Sequence, residues 1–309
     1  MKKIFALLLA LLMLASVLAG CASEQVNNDT NPETKPDASA NTDANAEPAA
    51  EKAPEKSLKI VTTIFPEYDW VREVLGDKAE NAEITMLLDN GVDLHSYQPT
   101  ADDIVKISDC DLFIYVGGES DGWVDDALKN ATNKDMKVIN LLEVLGDSVK
   151  TEETVEGMQE EEHDHDHEDT DEHDDAEEHE HEEEKDEHVW LSLKNAEVLV
   201  NAISATLQEL DPDNKDAYAA NAAAYIEKLS ALDADYQTAV DAATYKTVLF
   251  GDRFPFRYLV DDYGLSYYAA FVGCSAETEA SFETISFLAK KVDELKLPCV
   301  LTIEGAQHK

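Results

Sequence analysis

The chain has 309 residues, of which 67 are Asp or Glu and 24 are Lys or Arg, so its formal net charge is −43. A protein that binds nucleic acid needs a basic face for the phosphates, so this charge excludes nucleic acid as a partner and favours cations. About half of the charge lies in residues 151–187, which contain 22 acidic residues and one lysine.

The chain begins with the pattern of an export signal. Two lysines precede an apolar run that ends in the sequence LAGC at Cys21. This ending resembles a bacterial lipoprotein signal, in which cleavage leaves Cys21 as the lipid-carrying N-terminus. We expect residues 1–21 to be a signal peptide and the protein to be extracytoplasmic, anchored to the bacterial cell membrane through Cys21. An uncleaved membrane helix is the alternative, but the run is short for a span.

Residues 22–56 are polar, contain four prolines and lack aromatic residues, so they cannot build a core. This composition predicts a disordered tether.

Strands and helices are predicted to alternate over the next segment. The strands are residues 58–65, 83–88, 112–116 and 137–141, and the helices are residues 67–75, 100–108 and 123–130. Such alternation indicates an α/β fold with a mainly parallel sheet flanked by helices. Thr100 and Asp103 have the spacing of a capping box, which predicts that a helix begins just after the loop that contains His95.

Two further helices are predicted after the acidic tract. The first has apolar residues at helical spacing and ends at Asp211-Pro212. In the second, an apolar stripe continues from Tyr218 to Val240, which gives a helix about 40 Å long. It either joins two lobes rigidly or lies on the surface of one domain. We predict an N-terminal lobe over residues 57–212, including the loop 151–187, and a linking helix over residues 213–243.

A second α/β lobe is predicted for residues 244–309. Its strands are residues 247–250, 266–271 and 299–303, and its helices are residues 256–263 and 282–295. An α/β unit would ordinarily continue into another helix and strand, so we expect this lobe to be truncated. Cys274 and Cys299 lie in this segment and either form a disulfide or remain free thiols.

The acidic tract also carries six of the nine histidines: His163, His165, His167, His173, His179 and His181. Imidazole binds zinc, copper and nickel, and the surrounding carboxylates raise the local concentration of cations. Because the tract has very few apolar residues to fix its geometry, its affinity should be modest and its selectivity poor. The alternative is a solvated acidic loop with incidental histidines.

Two more histidines lie in distinct motifs on either side of the tract. His95 lies in DLHSYQPT and His188 lies in HVWLSL, each ahead of a predicted helix. The two motifs resemble the N-lobe histidine motifs of the zinc- and manganese-binding proteins of ABC importers, and the resemblance extends over about residues 57–309. It implies that His95 and His188 bind a metal ion in a cleft between two lobes joined by one long helix.

The C-terminal lobe departs from the pattern of that family. Gly251 stands where the family usually has a His or Glu ligand. Asp252 next to it is a candidate ligand, although Arg253 would compete as its salt-bridge partner. Glu304, at the end of the last predicted strand, is another candidate, and the alternative for it is a capping or surface carboxylate.

The resemblance implies that the protein captures Zn²⁺ and delivers it to the membrane permease of an ABC importer. We expect a monomer and no enzyme activity, because the chain has no HExxH motif, nucleophile elbow or phosphate-binding glycine loop. Two alternatives remain. One is a member of the same family that binds Mn²⁺, and the other is a histidine-rich extracellular metal buffer or adhesin that works without a transporter.

Overall fold

The computed structural model describes residues 57–89, 91–159, 184–275 and 279–303, which lie within one compact unit. Some predicted features lie outside these residues: the signal peptide with Cys21, the tether, Glu304, and the tract histidines His163, His165, His167, His173, His179 and His181. Among the described residues, no helix has both the length and the apolar character needed to cross a membrane.

The N-terminal lobe contains the predicted parallel sheet. Its strands are β1 (Lys59–Thr62), β2 (Glu83–Met86), β3 (Leu112–Tyr115) and β4 (Lys137–Asn140), in the order β2-β1-β3-β4. Every neighbouring pair is parallel. The two central strands are almost wholly buried, which explains why β3 is a continuous apolar run rather than an alternating one.

Helices cover this sheet. They are α1 (Phe65–Leu75), α2 (Ala101–Asp109), α3 (Val124–Lys129), α4 (Leu141–Leu145) and α5 (Leu193–Leu210). The predicted capping box at the start of α2 is confirmed: the Thr100 hydroxyl accepts a hydrogen bond from the Asp103 N–H, and the Asp103 carboxylate accepts one from the Thr100 N–H. The loop that carries His95 therefore ends at a fixed point.

The long helix α6 (Lys215–Ala242) has 28 residues and contacts both lobes. Its first half packs against α1 and α5 through buried residues that include Tyr218 and Ala222. Its second half is mostly exposed, but the ring of Tyr236 stacks on Tyr263 of the C-terminal lobe with 5.5 Å between centroids. The predicted apolar stripe is thus buried along only part of its length.

The C-terminal lobe contains short parallel strands and two helices. Strand β5 (Thr247–Leu249) pairs with β7 (Ser266–Tyr268), and β6 (Arg253–Phe254) pairs with β8 (Phe271–Val272). The helices are α7 (Arg257–Tyr263) and α8 (Phe282–Leu295).

Two strand predictions in this lobe need correction. The single strand predicted over residues 266–271 is divided, because the chain leaves β5 after Tyr268 and pairs with β6 from Phe271 onward. The strand predicted over residues 299–303 is reduced to one bridge between Phe250 and Leu301. Two backbone hydrogen bonds hold Leu301 there, and its neighbour Val300 is exposed.

Residues 151–159 and 184–187, which we call the stem, bracket the histidine-rich tract. Thr151 forms an antiparallel bridge with Lys185, and the Glu152 N–H donates to the Glu184 carbonyl at 2.8 Å. Met158 is buried in a core cluster of the C-terminal lobe, and the Gln159 N–H donates to the Ala270 carbonyl. The first segment of the stem, residues 151–159, therefore packs on the C-terminal lobe.

Candidate metal centre

His95 lies in the loop between β2 and α2. It occupies the short 3₁₀ helix Leu94–Ser96, and the Asp93 carboxylate accepts a hydrogen bond from the His95 N–H at 3.0 Å. Leu94 and Tyr97 on either side are buried. The loop is therefore fixed by packing and by a local cap, so the backbone position of His95 is set without a metal.

His188 is buried at the point where the stem returns to the N-terminal lobe. One oxygen of Asp186 lies 2.9 Å from the His188 backbone nitrogen and 3.0 Å from its Nδ1. A 3₁₀ turn follows, and then α5 begins with Ser192 as its N-cap. His188 is thus held between the stem and a capped helix.

The two imidazoles meet although 93 residues separate them. The distance between the His95 and His188 Nε2 atoms is 3.3 Å. Two nitrogen ligands bound at about 2.0–2.1 Å to a tetrahedral zinc ion would lie about 3.3 Å apart. The two residues predicted from their motifs are therefore placed together at a separation suited to one metal ion.

The second nitrogen of each ring has its own partner. His188 Nδ1 faces Asp186, and His95 Nδ1 lies 2.9 Å from the Ser120 hydroxyl and 3.5 Å from Glu187 Oε2. Carboxylates at these positions favour a proton on Nδ1, which leaves the Nε2 lone pairs available for a metal.

Three buried carboxylates, Glu67, Asp121 and Glu187, interact electrostatically in series, and Glu187 contacts His95. Burial, together with the charge of Asp121, raises the pKa of Glu67 well above its ordinary value. Burial also raises the pKa of Asp121, to about 6. The charge of Glu187 raises it further, whereas a hydrogen bond from the Gly117 N–H lowers it. Burial acts in the same direction on Glu187, but hydrogen bonds from His95 and Ser120 outweigh it and lower the pKa of Glu187. The negative charge of Glu187, the carboxylate that contacts His95, favours a cation at the site.

Cys274 is a third potential ligand, which sequence reasoning considered only as half of a disulfide. Its Sγ and one nitrogen each of His95 and His188 all lie within 4.8 Å of one another. Burial raises the pKa of the thiol, although a hydrogen bond from the Glu187 backbone opposes this. Cys274 follows β8, and the carboxyl end of a parallel strand is where α/β folds place ligands, so this position was the signal available in the sequence.

No disulfide forms among the cysteines of the described residues. Cys110 is buried, Cys274 is partly buried and Cys299 is exposed, and all three are free thiols. The pairing considered for Cys274 and Cys299 is therefore not found.

The structure does not bring Asp252 into the group formed by His95, His188 and Cys274. Its carboxylate accepts a hydrogen bond from the Arg253 backbone N–H at 2.8 Å, and its carbonyl accepts one from Ala270. The Arg253 guanidinium, predicted to pair with Asp252, contacts the Asp93 carboxylate of the N-terminal lobe.

Comparison with known proteins identifies zinc-uptake proteins as relatives of this chain. The profile of the family described as "Zinc-uptake complex component A periplasmic" matches residues 60–309. The "Zinc-binding lipoprotein AdcA" of Streptococcus pneumoniae is 35% identical over 252 residues, which cover 82% of this chain and 46% of that protein. The "High-affinity zinc uptake system protein ZnuA" of Bacillus subtilis is 32% identical over 253 residues, with coverage of 82% and 73%.

A solved structure of a zinc-binding protein also matches this chain. The Zn(II)-bound ZnuA-like domain of Streptococcus pneumoniae AdcA aligns with a TM-score of 0.60 and 31% identity, covering 82% of this chain and 81% of that one. The chain spans about half the length of the streptococcal proteins that it matches, and it covers 46% of the AdcA of Streptococcus pneumoniae. On the family profile and the Bacillus relative together, the chain belongs to the family of periplasmic component A proteins of zinc-uptake complexes.

Proposed function

We propose that this chain captures Zn²⁺ outside the cytoplasm and delivers it to the membrane permease of an ABC importer, with His95 and His188 as ligands. The observation that carries the proposal is the 3.3 Å separation of their Nε2 atoms, each on a ring whose Nδ1 has a fixed partner. Family membership supports it, because the family is one of zinc-uptake components. Uptake requires a tight and releasable site rather than a reactive one, so no enzyme activity is proposed.

The histidine-rich tract has an accessory role in this proposal. It collects zinc weakly, because its repeated imidazoles and carboxylates offer many interchangeable sets of ligands rather than one. The tract leaves the stem at Gln159 and rejoins it at Glu184, four residues before His188. Zinc released from the tract would be near the tight site, because the two are close along the chain. The local zinc concentration at that site would therefore be higher.

Membrane attachment through a lipid on Cys21, and a monomeric state, complete the proposal. The signal-like residues 1–21 support the lipid anchor, and the related AdcA of Streptococcus pneumoniae is described as a lipoprotein. Zinc is favoured over Mn²⁺ because imidazole ligands suit zinc, whereas Mn²⁺ prefers carboxylate and water oxygens.

The decisive experiment removes residues 160–183 only. A wider deletion of residues 151–187 would also remove Asp186 and Glu187, which contact the two histidine rings. Titration calorimetry with a competing chelator should then show one tight zinc site in the shortened chain. That site should disappear in the His95→Ala, His188→Ala double variant and should prefer zinc over manganese. Loss of all zinc binding on removal of the tract would instead identify a metal buffer.

A further inference from the structure

We propose that the Cys274 thiolate is the third protein ligand of the metal, which makes the site a His₂Cys centre selective for metals that bind thiolate. The inference rests on the proposed function of His95 and His188, and it supplies from β8 the ligand that Gly251 cannot provide. The chemical class of cargo is then Zn²⁺ and other thiolate-binding ions, and Mn²⁺ is disfavoured.

The first support is distance. The Cys274 Sγ lies within 4.8 Å of one ring nitrogen of His95 and one of His188. Sulfur and nitrogen ligands on one tetrahedral zinc ion lie about 3.6 Å apart, given bond lengths of about 2.3 and 2.0–2.1 Å. The separation of the thiol from these nitrogens therefore exceeds the bonding value by no more than about 1.2 Å. A change of side-chain rotamer or a small closure of the two lobes covers this distance.

The second support is how closely the Cys274 backbone approaches His188. A Cβ atom placed on the preceding Gly273 would lie 3.0 Å from His188 Cε1 and 3.0 Å from the Phe254 carbonyl oxygen. Only a glycine fits at that distance without a shift of its neighbours. The absence of a side chain at Gly273 lets the end of β8 pack against the imidazole and bring Cys274 to the ligand cluster.

The third support is the anchoring of Cys274 by the stem. Its backbone N–H donates to Glu152 Oε1 at 3.0 Å, and the Glu187 backbone donates a hydrogen bond to the thiol. Glu187 precedes His188 and lies 3.5 Å from His95 Nδ1, so the residues that position the histidines also position the cysteine. On binding, the thiol gives its proton to solvent and the thiolate lone pair forms the bond to the metal.

The test uses Co²⁺ as a spectroscopic probe of the full-length protein, purified in detergent. A thiolate bound to Co²⁺ gives an intense charge-transfer band in the near ultraviolet, and the histidine-rich tract contains no cysteine that could produce it. We expect the band in the wild type and in Cys299→Ser, and its loss in Cys274→Ser. The Cys274→Ser variant should still bind zinc through the histidines, with affinity lower by about tenfold or more.

A second measurement does not depend on how the Cys274→Ser variant folds. In the wild-type protein, bound zinc should protect Cys274 from alkylation by iodoacetamide, measured by peptide mass spectrometry, and His188→Ala should remove this protection. Co²⁺ bound through the histidines without the charge-transfer band, or alkylation unaffected by zinc, would overturn the assignment of Cys274 and leave the proposed function standing. Absence of a tight site that depends on His95 and His188 would overturn both proposals.

Discussion

One carboxylate oxygen of Asp186 contacts both the backbone nitrogen and the Nδ1 of His188, at 2.9 and 3.0 Å. This oxygen therefore fixes both the backbone position of His188 and the orientation of its ring. Such a partner also holds the proton on Nδ1 and makes Nε2 a better ligand. We expect Asp186→Asn to lower zinc affinity by about 10- to 100-fold, measured by competition with a chelator.

A matched control for this prediction is Asp235→Asn, which changes an exposed acid on α6. It removes the same charge and should leave zinc affinity nearly unchanged. Equal affinity of Asp186→Asn and wild type would show that this carboxylate does not orient His188.

Asp121 should impose a pH dependence on folding stability. Its pKa is about 6 in the folded chain and 3.8 as an ordinary side chain, so the folded state binds the proton more tightly than the unfolded state. The cost of the buried charge is thus present above pH 6, and it is relieved as pH falls from 6 towards 3.8. We expect Asp121→Asn to stabilise the metal-free protein at pH 8 by up to about 3 kcal/mol.

Urea unfolding at several pH values checks this prediction. The stability difference between Asp121→Asn and wild type should shrink as pH falls through 6, because the wild-type carboxyl then becomes neutral. A difference that stays constant between pH 8 and pH 5 would exclude Asp121 as the titrating group.

Arg253 links the two lobes beside the proposed metal centre. Its guanidinium contacts Asp93, whose other oxygen accepts the backbone hydrogen bond of His95. Burial acts to raise the pKa of Asp93, but hydrogen bonds from Arg253 and His95 outweigh it and lower that pKa. Because the ion pair holds the lobes together over the cleft, Arg253→Gln should speed zinc release by about tenfold, measured by stopped-flow with excess chelator.

The control for this variant is Arg72→Gln, because the Arg72 guanidinium contacts Tyr68 within the same helix. Its zinc release rate should match the wild type. An unchanged rate in Arg253→Gln would mean that the contact with Asp93 does not hold the cleft closed.

Much of the fold could be predicted because buried positions require apolar residues, and these form recognisable patterns in the sequence. Strands such as β3, buried on both faces, are unbroken apolar runs, and the cap at Thr100 marks a helix start by its own chemistry. The long helix could be predicted from its repeating apolar positions. The exposure of its second half could not, because that depends on which lobe lies beside it.

The site could be predicted only where a motif is local. His95 and His188 lie in recognisable segments, whereas Cys274 joins them only through the path of β8 and its contact with the stem. The stem itself is mostly polar and has no periodic apolar pattern. Its packing on the C-terminal lobe through Met158 could therefore not be predicted from the sequence. Asp252 is adjacent to Gly251 in sequence, but the structure does not place it in the ligand group.

The most direct test of the central claim is anomalous diffraction at the zinc absorption edge from zinc-loaded crystals of the chain lacking residues 160–183. We predict one zinc peak within about 2.0–2.1 Å of the Nε2 atoms of both His95 and His188. A loaded crystal with no zinc between these two imidazoles, or with zinc only at other positions, would contradict the assignment of this pair as the metal centre.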